Sequence, residues 1–211
     1  MAVYLSEQNI LVTAAPGTGS TSLESGALSV PGARAPSLDL ADAGDPKHLT
    51  LADLTAAGWT PAHRDRPVVL TSTRNPFDFW AAEWHRTRTR WLAELPDPHS
   101  WVHRVPGMVE RIVHAVQTPF DEWVQECLAA ALENGACRHL NPGHVEEADV
   151  VVRMEHLDTD LQASLGDLGH GVPHLNSTSR ATCYWQLYGA GGRRTVAAVH
   201  EADLQRFGYA F

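Results

Sequence analysis

The sequence predicts an α/β fold: a parallel sheet with helices covering both faces. Three observations carry this. Short apolar runs rich in β-branched residues, Asn9 to Ala14, Pro67 to Thr73 and Asp149 to Met154, alternate with longer segments of helical pattern. The first two runs each end in a distinctive turn, Pro16 to Ser22 and Arg74 to Asp78. No internal repeat, low-complexity tract or linker interrupts the 211 residues, so a single domain spanning 1–211 is expected.

In chain order, Asn9 to Ala14 reads as a buried strand and Pro16 to Ser22 as a small-residue loop. Leu23 to Val30 then reads as helix. Leu38 to Leu40 is a short strand candidate amid Pro, Gly and Asp. Thr50 to Ala57 reads as a helix with Thr50 as N-cap and Asp53 three residues on, an Asp variant of the capping box. The strand Pro67 to Thr73 stops at Arg74-Asn75-Pro76, and a helix is expected from about Phe77 to Ala93, with Trp80, Trp84 and Trp91 near one face. Leu95 to Pro106 is rich in turn formers and reads as a loop. Helices follow over Gly107 to Val116 and Pro119 to Asn134, the second stopped by Gly135. Asp149 to Met154 is the last strand; Asp158 to about Leu168 and Thr195 to Phe207 are helical in pattern.

A folded chain of this size buries roughly 70% of its unfolded surface, enough for a core without staples. Its formal charge of −9 argues against general nucleic-acid binding, which needs a basic surface. The three cysteines, Cys127, Cys137 and Cys183, form no CxxC pair, against a disulfide framework or zinc ribbon. The N-terminal residues lack a signal-like basic and apolar pattern, and no run approaches the roughly 18 apolar residues of a membrane span. A soluble, cytoplasmic protein with no membrane partner is expected. Fifteen of the sixteen basic side chains are arginine, so any chemistry that needs a lysine must use Lys47.

Two turns hold candidate chemistry. Gly17, Thr18, Gly19, Ser20, Thr21 and Ser22 lie between a strand and a helix, where glycines let the backbone curl round an anion and the first helical amides point at it. The loop lacks the GK[ST] of a Walker A sequence. It reads either as a phosphate cradle or as a plain turn. Arg74 ends a strand, where open α/β sheets bind ligands, and its planar fork suits a phosphate. It reads equally as a strand-end cap or a partner of Asp78.

Taken together, these residues resemble the sulfotransferases that use 3′-phosphoadenosine 5′-phosphosulfate (PAPS). That family's phosphosulfate loop reads about PKxGxTxL, matched here by Pro16-Gly17-Thr18-Gly19-Ser20-Thr21-Ser22-Leu23. Its 3′-phosphate motif reads about RNPxDxxxSxY, matched by Arg74-Asn75-Pro76-Phe77-Asp78 and continuing to Trp84. Val152 to Leu157 is similar to its (V)RxExL strand, His174 to Arg180 to its late Asn/Ser/Arg segment, and Glu201 to Tyr209 to the closing helix of its carbohydrate-type branch. The matches fall in order from residue 10 to 209. The resemblance implies a P-loop-like three-layer sandwich with a central parallel sheet of about five strands. It also implies sulfuryl transfer from PAPS, as co-substrate, to a hydroxyl or an amine of a small-molecule acceptor, with no metal required.

By that resemblance Gly17 to Ser22 would cradle the 5′-phosphosulfate and Arg74 would take the 3′-phosphate. Asn176 and Arg180 would contact the nucleotide. The sequence departs from the pattern twice: the usual loop lysine is Gly17, and the usual motif serine is Ala82. Lys47 is then the substitute cation, and His48, in the region where carbohydrate-type relatives hold a catalytic histidine, is the base on the acceptor. His63 and Glu83 stand in reserve as bases. His144 with Glu146, Glu147 and Asp149 fits no standard metal-ligand spacing. Arg86, Arg88 and Arg90 read as a solvated basic helix rather than a site for an anionic acceptor. The rival readings are a P-loop kinase or nucleotide hydrolase, and a non-catalytic nucleotide-binding descendant.

Overall fold

The computed structural model describes residues 1–36, 46–134, 139–166 and 183–211. The chain divides into two compact units, Met1–Arg74 with Asn141–Ser177, and Asn75–Leu140 with Thr178–Phe211.

The first unit is built on five strands: β1 (Val3–Leu5), β2 (Ile10–Val12), β3 (Ala33–Arg34), β4 (Val68–Thr73) and β5 (Val150–Arg153), in the order β3-β1-β2-β4-β5. The sheet is mixed, which corrects the expected parallel sheet. β2, β4 and β5 are parallel, with Ile10 opposite Val68 and Leu70 opposite Val150, but β1 runs antiparallel to both β2 and β3. The reason is chain length: Ser6 to Asn9 join β1 to β2, and so short a connection can only form a hairpin, whereas a parallel crossover needs a dozen residues or more. Asn9 takes the left-handed conformation the turn requires (φ 53°), and its Oδ1 accepts a 2.8 Å bond from the Tyr4 hydroxyl. The strand expected over Leu38 to Leu40 lies outside the described residues.

Alternation along the strands builds two cores. Val3, Leu5, Ile10, Val12, Leu70 and Val152 point to one face, packed by Leu23 and Ala27 of α1 (Ser20–Leu28) and by Leu157 and Leu161 of α7 (Leu157–Leu165). Tyr4, Leu11 and Val69 point to the other, beneath Leu54 of α2 (Leu51–Ala56) and Trp59. Each fully buried leucine here stabilises by roughly 1.5–3 kcal/mol. The unit is therefore α/β, with helices on both faces of its sheet. The capping box of α2 is complete: Asp53 N donates to Thr50 Oγ1 (3.2 Å) and Thr50 N to Asp53 Oδ2 (2.9 Å).

The second unit is helical: α3 (Pro76–Arg86), α4 (Met108–Gln117), α5 (Phe120–Glu133), α8 (Ala190–Val199) and α9 (Glu201–Phe207), while α6 (Pro142–Glu147) belongs to the first. Its core gathers Phe77, Ala81, Phe120, Trp123, Val124, Leu128, Val196 and Val199, with Trp80 and Trp84 alongside. α3 begins one residue before the expected Phe77, with Pro76 in its first turn and Asn75 Oδ1 accepting from Phe77 N at 3.0 Å. The expected run to Ala93 is not all α-helix. Thr87 and Thr89 hydroxyls donate to the carbonyls of Glu83 and His85, and the chain widens into a π-helical turn over Thr87–Trp91. α5 and α8 approach so closely that a Cβ on Gly192 would lie 2.5 Å from Asp121 Oδ1 and 2.8 Å from Val124 Cγ1. No helix among the described residues is long and apolar enough to cross a membrane.

Candidate functional site

The site forms in the first unit, where β2 runs into α1. After Val12 the chain passes through Ala14-Ala15-Pro16 and then folds back through Gly17 and Gly19, both at positive φ (75° and 77°). Glycine is required at position 19 twice over, because a Cβ there would also meet Met154 Cγ at 3.0 Å. Gly19 is the N-cap of α1 and has no side chain to cap it, and no acidic residue lies in the first turn. The amide end of α1 is thus left to favour an anion.

Thr18 is fully buried and its hydroxyl is committed inside the protein. It donates to the Ala15 carbonyl (2.9 Å), so the 2.8 Å contact with Ser72 Oγ of β4 must be donated by the serine. Thr18 therefore pins the loop to the sheet. Ser20 and Ser22 are also buried, whereas Thr21 is half-buried and meets Lys47: Nζ donates to Thr21 Oγ1 at 3.0 Å. Arg74, at the end of β4 and only 7% exposed, donates through Nη1 to the Gly17 carbonyl at 3.2 Å. The structure thus brings Gly17, Thr18, Gly19, Ser20, Thr21, Ser22, Lys47 and Arg74 around one loop.

His48 joins them from the same single turn of helix, Pro46–His48, that carries Lys47. Its Nδ1 lies 2.5 Å from the Ala14 carbonyl oxygen. His63 lies elsewhere: its Nε2 donates to Ser6 O in the β1–β2 hairpin, at the opposite end of β2 from the loop. Glu83 belongs to the second unit and is held there by Arg86 and Arg111. Asn176 and Arg180 lie outside the described residues, as does Cys137.

Sequence reasoning missed the support for this cluster, which comes from one stretch, Asn141 to Asp149. Asn141 Nδ2 donates to the Pro16 carbonyl at 3.2 Å. His144, 6% exposed, hydrogen-bonds the backbone of His48; burial pushes its pKa down, that bond opposes the fall, and the nearby His48 ring adds to it. Glu147 accepts from the first amides of α2, Leu51 N at 2.7 Å and Ala52 N at 3.3 Å. Asp149 accepts from Val69 N (2.8 Å) and Arg66 (2.6 Å), contacts that outweigh desolvation and hold its carboxyl below the usual range. Two of the acids beside His144, Glu147 and Asp149, are therefore engaged with backbone amides. No sequence pattern near residue 48 points to His144; only its burial beside His48 in the fold does.

The geometry assembles an unshielded helix amide end, one lysine, one arginine and one histidine, which is chemistry for a phosphate-bearing ligand and a proton transfer. Comparison of this chain with protein-family models, with curated proteins and with solved structures finds no match.

Proposed function

We propose that this chain is a cytoplasmic, PAPS-dependent sulfotransferase with a P-loop-like core, acting on a small-molecule acceptor through a hydroxyl, with an amine as second choice. The observation that carries the reading is the 3.0 Å contact of Lys47 Nζ with Thr21 Oγ1. It sets the only lysine of the chain against the first turn of α1, beside the loop whose family lysine is replaced by Gly17. Arg74 on Gly17 and His48 on Ala14 support it from the two flanks of the same loop.

The chemistry needs little covalent help from the protein. The acceptor oxygen forms a bond to sulfur as the bond from sulfur to the bridging phosphate oxygen breaks, and 3′,5′-diphosphoadenosine leaves. His48 Nε2 takes the acceptor's proton. Lys47 and the amides of α1 meet the charge that grows on the departing phosphate oxygen, where a preorganised cation is most effective. Arg74 takes the 3′-phosphate.

Calorimetry with 3′,5′-diphosphoadenosine, AMP and ATP tests the assignment. The diphosphate should bind more tightly than AMP, and Arg74→Ala should remove roughly 10- to 150-fold of that preference, the worth of one charge-assisted contact. Equal affinity of the wild type for diphosphate and AMP would sink it. Preference for ATP with magnesium-dependent turnover would favour a kinase or hydrolase instead.

A further inference from the structure

The second unit holds a charged cluster that the proposed reaction does not use. Glu83 of α3 is 7% exposed, and its carboxylate accepts from two guanidinium groups: Arg86 Nη2 on Oε2, and Arg111 Nη2 of α4 on Oε1 at 2.9 Å. One negative charge thus serves two positive ones. Both cations also face one ring, with Arg86 Cζ 5.4 Å and Arg111 Cζ 5.8 Å from the centroid of Trp91, which meets Trp101 edge-on at 5.6 Å. The π-helical turn explains this placement. In an α-helix the neighbours of Arg86 would be residues 89 and 90, whereas the wider turn carries Trp91, five residues on, over the guanidinium.

An aromatic face offsets part of a cation's charge but offers no hydrogen-bond acceptor. Of their five N–H donors, Arg86 and Arg111 each spend one on Glu83, and on both the Nε–H is buried without an acceptor among the described residues. Their side chains remain 30% and 38% exposed, so neither is sealed from solvent. Glu126, on the neighbouring α5, does not supply the missing acceptor in this structure: its carboxylate lies 2.5 Å from His114 Nε2. The cluster therefore holds more guanidinium donors than acceptors among the described residues.

We propose that Arg86 and Arg111 bind a small oxyanion, a carboxylate or a phosphate- or sulfate-type group, above the ring of Trp91. Paired guanidinium forks fit two oxygens of such a group, and Trp91 with Trp101 offers an apolar wall for the organic part attached to it. The site goes beyond the sulfuryl-transfer reading and does not rest on it.

The test is a titration of the full, 15N-labelled chain with inorganic phosphate and with benzoate, at constant ionic strength, following the tryptophan indole N–H signals by NMR. Trp91→Phe identifies the Trp91 signal. That signal should shift and saturate with a Kd of about 0.1–10 mM, the range of fragment-sized ligands. Arg111→Gln should weaken both probes about tenfold or more, and Trp91→Phe should weaken benzoate more than phosphate. The circular dichroism spectrum and urea midpoint of each variant serve as the separate readout of an intact fold. A Trp91 signal that fails to saturate with both probes in the wild type overturns the proposal, whatever the variants do. Wild-type affinity in folded Arg111→Gln overturns it too.

Discussion

The imidazole Nδ1 of His48 lies 2.5 Å from the carbonyl oxygen of Ala14, the residue that leads β2 into the loop. A carbonyl can only accept, so Nδ1 carries the proton and Nε2 is the basic nitrogen of the neutral tautomer. The ring is thereby fixed in orientation and tautomer by the same backbone that shapes the loop. A histidine so held is prepared to accept a proton on one defined atom.

His48→Ala should accordingly lower turnover by roughly 10²- to 10⁴-fold, the usual contribution of a general base. Affinity for 3′,5′-diphosphoadenosine should barely change. Rate against pH should lose its acidic limb, because a protonated imidazole cannot accept a proton. Normal turnover in His48→Ala would transfer the role to another group.

Lys47→Ala should slow transfer and loosen PAPS, by about tenfold or more in affinity if the ammonium reaches the phosphosulfate. Lys47→Arg should recover part of the rate, since charge survives while donor geometry changes. Steady-state kinetics with PAPS varied separates the two effects. Equal kinetics for wild type and Lys47→Ala would leave the loop without its replacement cation.

Stability should fall as the solution is acidified from pH 6.5 towards 4. His200 is buried against Trp80, whose indole N–H donates to its Nε2 at 3.0 Å, and burial, with the nearby His139 adding to it, lowers its pKa to about 4. Between that value and 6.5 the unfolded chain takes a proton that the folded one refuses, which costs about 3 kcal/mol by the lower end. Below pH 4 both states are charged and this contribution levels off. His144, lowered by its own burial, adds to the fall, whereas Asp203, raised by burial, opposes it, because on acidification the folded state binds that proton before the unfolded one. Asp53, Asp149 and Asp160 are lowered and lose their contribution only as pH drops beneath 3.8. Urea melts across this window should show a shallower decline for His200→Gln than for the wild type.

Gly192→Ala should destabilise by about 1–3 kcal/mol, the usual cost of overpacking. An exposed helical glycine normally gains about 0.4–1 kcal/mol on the same change. Here the sign reverses, since the new methyl would press on Asp121 and Val124. Asp121 Oδ1 also accepts from Gly189 N (2.7 Å) and Gly192 N (2.9 Å), so the carboxylate cannot simply swing aside. A rise in the urea midpoint would contradict the close approach of α5 and α8.

Much of the first unit could be read from residue types. β4 and β5 are rich in β-branched residues, and the Gly17 to Ser22 turn sits between a strand and a helix as its composition suggests. β1 escaped because three residues carry too little periodicity, and with it went the antiparallel half of the sheet. Lys47 and His48 were marked by rarity and position, but their distances to Thr21 and Ala14 depend on packing between segments 26 and 34 residues apart. Thr18 looked like a ligand donor until its hydroxyl found Ala15 and Ser72. Arg86 looked solvated because an α-helical wheel hides what a π turn brings over it. α8 and α9 read as one helix, since only the break at His200 separates them.

The stretch from Asn141 to Asp149 also sets an order of events during synthesis. Its bonds to Pro16, Leu51 and Val69 span 125, 96 and 80 residues of chain. A ribosome adding about 5–20 residues per second therefore exposes the loop, Lys47 and His48 for several seconds before their fastener emerges. Contacts that close such long loops form late, after the local helices and the β1–β2 hairpin. Nascent chains stalled before Asn141 should bind no 3′,5′-diphosphoadenosine although every loop residue is present, and binding should begin only once β5 has cleared the exit tunnel. The nucleotide would then report the emergence of β5, seizing a site that Asn141 to Asp149 brings into being.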